Sequence, residues 1–142
     1  MAVKDFILAS SSPQRKALLA AIYFEPKKCE PADIDETPHK DEKPTAYVKR
    51  MAQEKALAVV KNNPGEVILA SDTIIAVGLK IFQKAKDAKD QEDKVRQMSG
   101  RAHRVITAVC LINKEGKESI RVNSNKVFVK KMSEEEIKEY ID

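Results

Sequence analysis

Phe6-Ile7-Leu8-Ala9 followed by Ser10-Ser11-Ser12-Pro13-Gln14-Arg15-Lys16-Ala17-Leu18-Leu19 is a short apolar strand that runs into three hydroxyls, a proline and an arginine as a helix opens. Ser12 is placed to cap that helix and Pro13 suits its first turn; the spare backbone N–H groups, the serine hydroxyls and Arg15 converge where an anion would sit. Taken by itself the stretch also reads as an ordinary capped strand-to-helix turn.

Outward from it, periodicity places a strand over 6–9, a helix over 13–22 and a second strand over 24–29. A helix over 45–61 turns Tyr47, Val48, Met51, Ala52, Leu57 and Ala58 inward, and Asn62-Asn63-Pro64-Gly65 stops it. A buried strand over 67–70 ends at Ser71-Asp72-Thr73, and 74–82 reads as a hairpin turned at Gly78. A short helix over 90–98 ends near Gly100, and two long strands over 103–113 and 119–131 are joined by Lys114-Glu115-Gly116-Lys117. Ser133 with Glu136 forms a capping box for a last helix over 134–141. Strands alternating with helices, interrupted by hairpin signals, predict an α/β fold with a mixed twisted sheet and flanking helices.

The 142 residues suit one domain, 1–142, with a core large enough to fold without disulfides or a metal staple. Cys29 and Cys110 match no metal-ligand spacing, and Cys110 lies in an apolar run that marks it as core. The net charge of +4 is spread over 26 basic and 22 acidic residues, with four Phe, three Tyr and no Trp. That is no nucleic-acid footprint or base-stacking platform, although a mild positive bias suits small anions. Lys4 and Asp5 interrupt any leader-like apolar stretch and no run reaches membrane-spanning length, so a cytoplasmic protein away from membranes is expected.

Several residues invite chemistry. Asp72 closes a buried strand at a polar turn, where α/β proteins place active carboxylates, and where a plain turn-capping aspartate also fits. Glu36, in Asp33-Ile34-Asp35-Glu36-Thr37, is a candidate magnesium ligand or a member of a solvated acidic loop. Lys55 sits at the edge of a buried helical stripe, where most lysines merely snorkel. Lys84 and His103 are unremarkable alone. No Ser/His/Asp set, P-loop, dinucleotide fingerprint or zinc spacing is present.

The order of the pieces is more specific than any one of them. Leu8-Ala9-Ser10-Ser11-Ser12-Pro13-Gln14-Arg15, then Asp33-Ile34-Asp35-Glu36-Thr37-Pro38, Tyr47-Val48-Lys49-Arg50-Met51-Ala52-Gln53-Glu54-Lys55-Ala56, Leu69-Ala70-Ser71-Asp72-Thr73-Ile74-Ile75 and Met98-Ser99-Gly100-Arg101-Ala102-His103 with its following strand resemble the Maf family of nucleoside triphosphate pyrophosphatases. The resemblance implies a fold related to the inosine triphosphate pyrophosphatases, two lobes flanking a cleft, and hydrolysis of a nucleoside triphosphate to a monophosphate and pyrophosphate with a divalent cation, magnesium or manganese. It places Ser10, Ser12, Arg15 and Lys84 on the triphosphate, Glu36 and Asp72 at the metal, and Asp72, Glu36 and Lys55 in catalysis, and it points to the branch that prefers dTTP and UTP. A homodimer is compatible with it.

Gln14 departs from the arginine pair of many members, and Ala85 from the proline that usually follows the lysine matched by Lys84. Typical members also continue past the helix near Tyr140 into a Gly-rich segment, so the pattern predicts a C-terminally truncated domain. The alternative to an active enzyme is therefore a non-catalytic nucleotide-binding or regulatory homologue.

Overall fold

A computed structural model describes residues 2–82 and 87–141. The elements run β1 (Ile7–Leu8), α1 (Pro13–Ala20), β2 (Lys28–Cys29), α2 (Pro44–Asn62), β3 (Ile68–Val77), β4 (Lys80–Phe82), α3 (Ala88–Met98), β5 (Ala102–Ile112), β6 (Glu118–Phe128) and α4 (Glu134–Ile141). One mixed sheet has the order β2-β1-β3-β5-β6, with β4 added to β3. β1 is parallel to both β2 and β3, while β3–β4, β3–β5 and β5–β6 are antiparallel. The mixed sheet with flanking helices is the architecture the sequence patterns led one to expect, including the hairpin at Gly78, whose φ of +58° is open to glycine at no steric cost.

The core lies between one face of the sheet and α2. Val48, Met51, Ala52, Ala56 and Val59 on the helix are buried against Ile68, Ala70, Ile74 and Ala76 of β3 and Ile106, Ala108, Cys110 and Ile112 of β5. The expected inward stripe is corrected in its C-terminal half: Ala56 and Val59 are buried, whereas Leu57 is exposed and Ala58 half-buried. Positions 48, 52, 56 and 59 stay on one side of a helix of 3.6 residues per turn, and 57 is rotated away from them.

Other boundaries shift for identifiable reasons. The strand expected over 24–29 survives as β2 and an isolated parallel bridge between Val3 and Phe24. Pro26 lies between them and has no N–H to continue a ladder. Asp87 caps α3 by accepting from the Asp90 amide at 2.8 Å, which starts that helix at Ala88. The capping box at α4 forms in both directions: the Glu136 amide donates to Ser133 Oγ (3.2 Å) and the Ser133 amide to Glu136 Oε1 (3.3 Å).

The largest correction concerns Asp72. It does not close a strand at a polar turn, because β3 is ten residues long and continues through it in register with β5, where Asp72 stands opposite Ala108. The alternation along β3 puts its carboxylate on the same face as Ala70 and Ile74, towards α2. An ionisable group at a core-facing position demands a partner, and that demand builds the site.

Candidate active site

Lys55, on α2, meets it. Its Nζ donates to Asp72 Oδ1 at 2.9 Å and lies 3.3 Å from Glu36 Oε1. The lysine and Asp72 side chains are largely shielded from water, while Glu36 is more than half exposed. One ammonium thus joins two carboxylates from a loop and a strand, bringing together the three residues expected to be catalytic. A pair this well shielded is held by geometry as well as Coulomb attraction, and removing one partner would strand the other.

The turn expected to receive an anion forms beside it. Ser12 caps α1, its Oγ accepting from the Arg15 amide at 3.3 Å, and Ser10 Oγ accepts from the Ser12 amide at 3.0 Å. Two of the backbone donors are therefore already used by serine oxygens, whereas the amides of Ser11 and Gln14 have no protein partner among the described residues. Arg15 reaches across to β3, where its Nη1 donates to the Ser71 carbonyl at 2.8 Å. This bond ties the turn to the residue preceding Asp72 and leaves further guanidinium donors for a ligand. The turn carrying Ser10, Ser12 and Arg15 is thus tied through Ser71 to the middle of β3, where Lys55 joins Glu36 to Asp72; Lys84 lies outside the described residues.

A cleft of about 420 Å³ opens here, lined by Glu36, Thr37, Tyr47, Asp72, Ile74 and Phe82 among others. Among the described residues no cluster of three or more His, Cys, Asp or Glu side chains is arranged to hold a metal ion. Glu36 and Asp72 nevertheless fit a hard divalent cation of the kind that takes one or two carboxylates and completes its shell with water and phosphate. Their side chains already converge on a positive charge, the Lys55 ammonium.

Sequence reasoning missed the residues that hold the Glu36 loop. Arg50 grips Glu42 in a two-pronged pair, Nε to Oε2 and Nη2 to Oε1, both at 2.8 Å, and also bonds Glu54 at 2.6 Å. The guanidinium holds the Glu42 carboxyl down at about 2, well below its ordinary 4.5, and Glu42 in turn raises the basicity of Arg50. Tyr47 Oη donates to the Glu36 carbonyl at 2.5 Å. Tyr47 and Arg50 lie on the same helix as Lys55, but neither stands three or four residues from it, so helical spacing gave no signal for them. His103 is buried in β5 with its Nδ1 unpartnered, and takes no part in the cleft lining.

Residues 5–142 match the family described as Maf-like protein. The chain is 47% identical over 137 residues to a dTTP/UTP pyrophosphatase of Zymomonas mobilis, covering 96% of this chain and 68% of that protein. It is 45% identical to a dTTP/UTP pyrophosphatase of Rhodospirillum rubrum, covering 95% and 64%. The chain thus spans about two thirds of the length of these relatives. Its fold is shared with a nucleoside-triphosphatase, a dITP/XTP pyrophosphatase, from Mycobacterium abscessus, with a TM-score of 0.63 at 21% identity over 87% of this chain and 71% of that one. With the ordered motifs, this sheet and this degree of identity, the chain belongs to the Maf-like protein family.

Proposed function

We propose that this protein hydrolyses dTTP and UTP to their monophosphates and pyrophosphate in the cytoplasm, as a single domain, with a divalent cation as cofactor. The observation that carries the reading is the Lys55 bridge between Glu36 and Asp72 beside a capped helix start whose arginine is anchored to Ser71. The base preference rests on the two relatives named above. Exposed Leu18, Leu79 and Phe128 are compatible with self-association as a homodimer.

Ser10, Ser12 and Arg15 receive the triphosphate: serine hydroxyls and the free amides of the turn donate to phosphate oxygens, and Arg15 adds a fixed positive charge. Magnesium or manganese, held by Glu36 and Asp72, would supply neutralisation of phosphate charge. Lys55 holds Asp72 through one carboxylate oxygen, leaving the other to orient the attacking water and accept its proton. Water then cleaves the α–β anhydride, pyrophosphate leaves, and no covalent enzyme intermediate is needed. Lys84 is assigned to the leaving phosphates by its position in the family pattern.

Pyrophosphate release from a panel of nucleoside triphosphates with magnesium or manganese tests this directly. Preference for dTTP and UTP is expected, with Asp72→Asn slowing turnover by about 10² or more. Orthophosphate as the product, a preference for purines, or an undiminished Asp72→Asn enzyme would overturn it.

A further inference from the structure

Glu36 stands in a segment without regular structure, residues 30–43, between β2 and α2, and its side chain is more than half exposed. Such a residue has no helix or strand ladder to aim it, yet its carboxylate lies 3.3 Å from Lys55. Two consecutive carbonyls of the segment are held by side chains of one helix: Tyr47 Oη donates to Glu36 O at 2.5 Å and Arg50 Nη2 to Thr37 O at 3.2 Å. The Arg50 guanidinium also sits over the Tyr47 ring, 5.6 Å from its centre, so the two grips brace each other. Tyr47 is itself buried, with only 4% of its surface exposed, and its hydroxyl bond is made in the wall of the cleft.

We infer that Tyr47 is the positioning residue for Glu36: by holding the Glu36 carbonyl against α2, it sets the carboxylate at a fixed place relative to Lys55 and Asp72. Lys55 belongs to the same helix, so loop and lysine share one rigid frame. The inference rests on the reading of Glu36 as a cation-binding carboxylate in a nucleotide-hydrolysing cleft. Its consequence is that the Tyr47 hydroxyl governs cation affinity without touching cation or nucleotide, as groups that orient metal ligands do.

The test compares the wild type, Tyr47→Phe, Glu36→Gln and the double variant. Mn²⁺ binding is followed by electron paramagnetic resonance with dTTP whose α–β bridging oxygen is replaced by methylene, and pyrophosphate release is measured separately on dTTP. Tyr47→Phe keeps the buried ring and is expected to raise the half-saturating Mn²⁺ concentration about tenfold. In the Glu36→Gln background the same change is expected to alter it by less than about twofold, because coupled residues are non-additive. An unchanged Mn²⁺ titration, or an equal effect of Tyr47→Phe in both backgrounds, would overturn the inference. Coupling in the binding cycle without pyrophosphate release by the wild type would leave Tyr47 in this role and remove the activity reading instead.

Discussion

Helix α2 brings Lys55 to Asp72 on a stripe of seven buried residues, whereas α1 brings Arg15 to Ser71 with no buried residue at all. α2 lies across β3 and β5, so the position of Lys55 is set by the packing that also makes the core. α1 depends on a few hydrogen bonds: the local Ser12 cap at its start, the Arg15–Ser71 bond that ties its first turn to β3, and at its end a turn in which the Phe24 amide donates to the Leu19 carbonyl. That closing turn puts Tyr23 at φ +63°, a left-handed conformation that costs a side chain of this size free energy. The expected site therefore has one wall, α2, built into the core, and another, α1, that is expected to open locally because little packing holds it.

Met51→Ala strikes the first wall. Met51 is fully buried in the centre of the stripe, and its truncation should cost about 3 kcal/mol of global stability in urea denaturation, with an unchanged denaturant slope. A loss under about 1 kcal/mol would mean that α2 is not the rigid element described here.

Glu42→Gln tests how the Glu36 segment is fastened to that wall, and should cost about 2 kcal/mol, the scale of a charge-assisted hydrogen bond. Because Arg50 holds Glu42 ionised down to about pH 2, whereas the unfolded chain takes up a proton near 4.5, acid favours unfolding. The stabilisation from Glu42 is complete above 4.5 and lost as pH falls towards 2. The difference in stability between wild type and Glu42→Gln should therefore shrink across that window, and a difference that stays constant would place the Arg50 grip elsewhere.

The smallest effects belong to α1. Ser12→Ala should cost about 1 kcal/mol through the lost cap, and Tyr23→Gly should return a similar or smaller amount by relieving the left-handed residue. Amide hydrogen exchange sharpens the comparison: Ser12→Ala should speed exchange within α1 while leaving the central amides of α2 close to their wild-type protection. Parallel acceleration in both helices would show that the two walls unfold together.

Much of this was legible in the chain. The hairpin at Gly78, the capping box at Ser133 and Glu136, the serine-capped start of α1 and the buried face of α2 are local signals, written in residues within a few positions of one another. Where the local signal was ambiguous, the reading slipped. Ser71-Asp72-Thr73 has the composition of a turn, but lies mid-strand because its partner strand β5 continues the ladder, and Leu57 looked like core because it is apolar, although the helix turns it outward.

The sequence by itself determined the elements, their order and the family pattern of site residues, because periodicity, capping and turn chemistry act over one or two turns of chain. Only the tertiary structure decided that Asp72 faces the core, that Lys55 from 17 residues away neutralises it, and that Tyr47 and Arg50 hold the Glu36 segment in place. Those contacts depend on the register of β3 against β5 and on the rotation of α2 over both strands. A polar group in the chain declares what it needs when buried, but its partner is set by the packing of distant apolar residues.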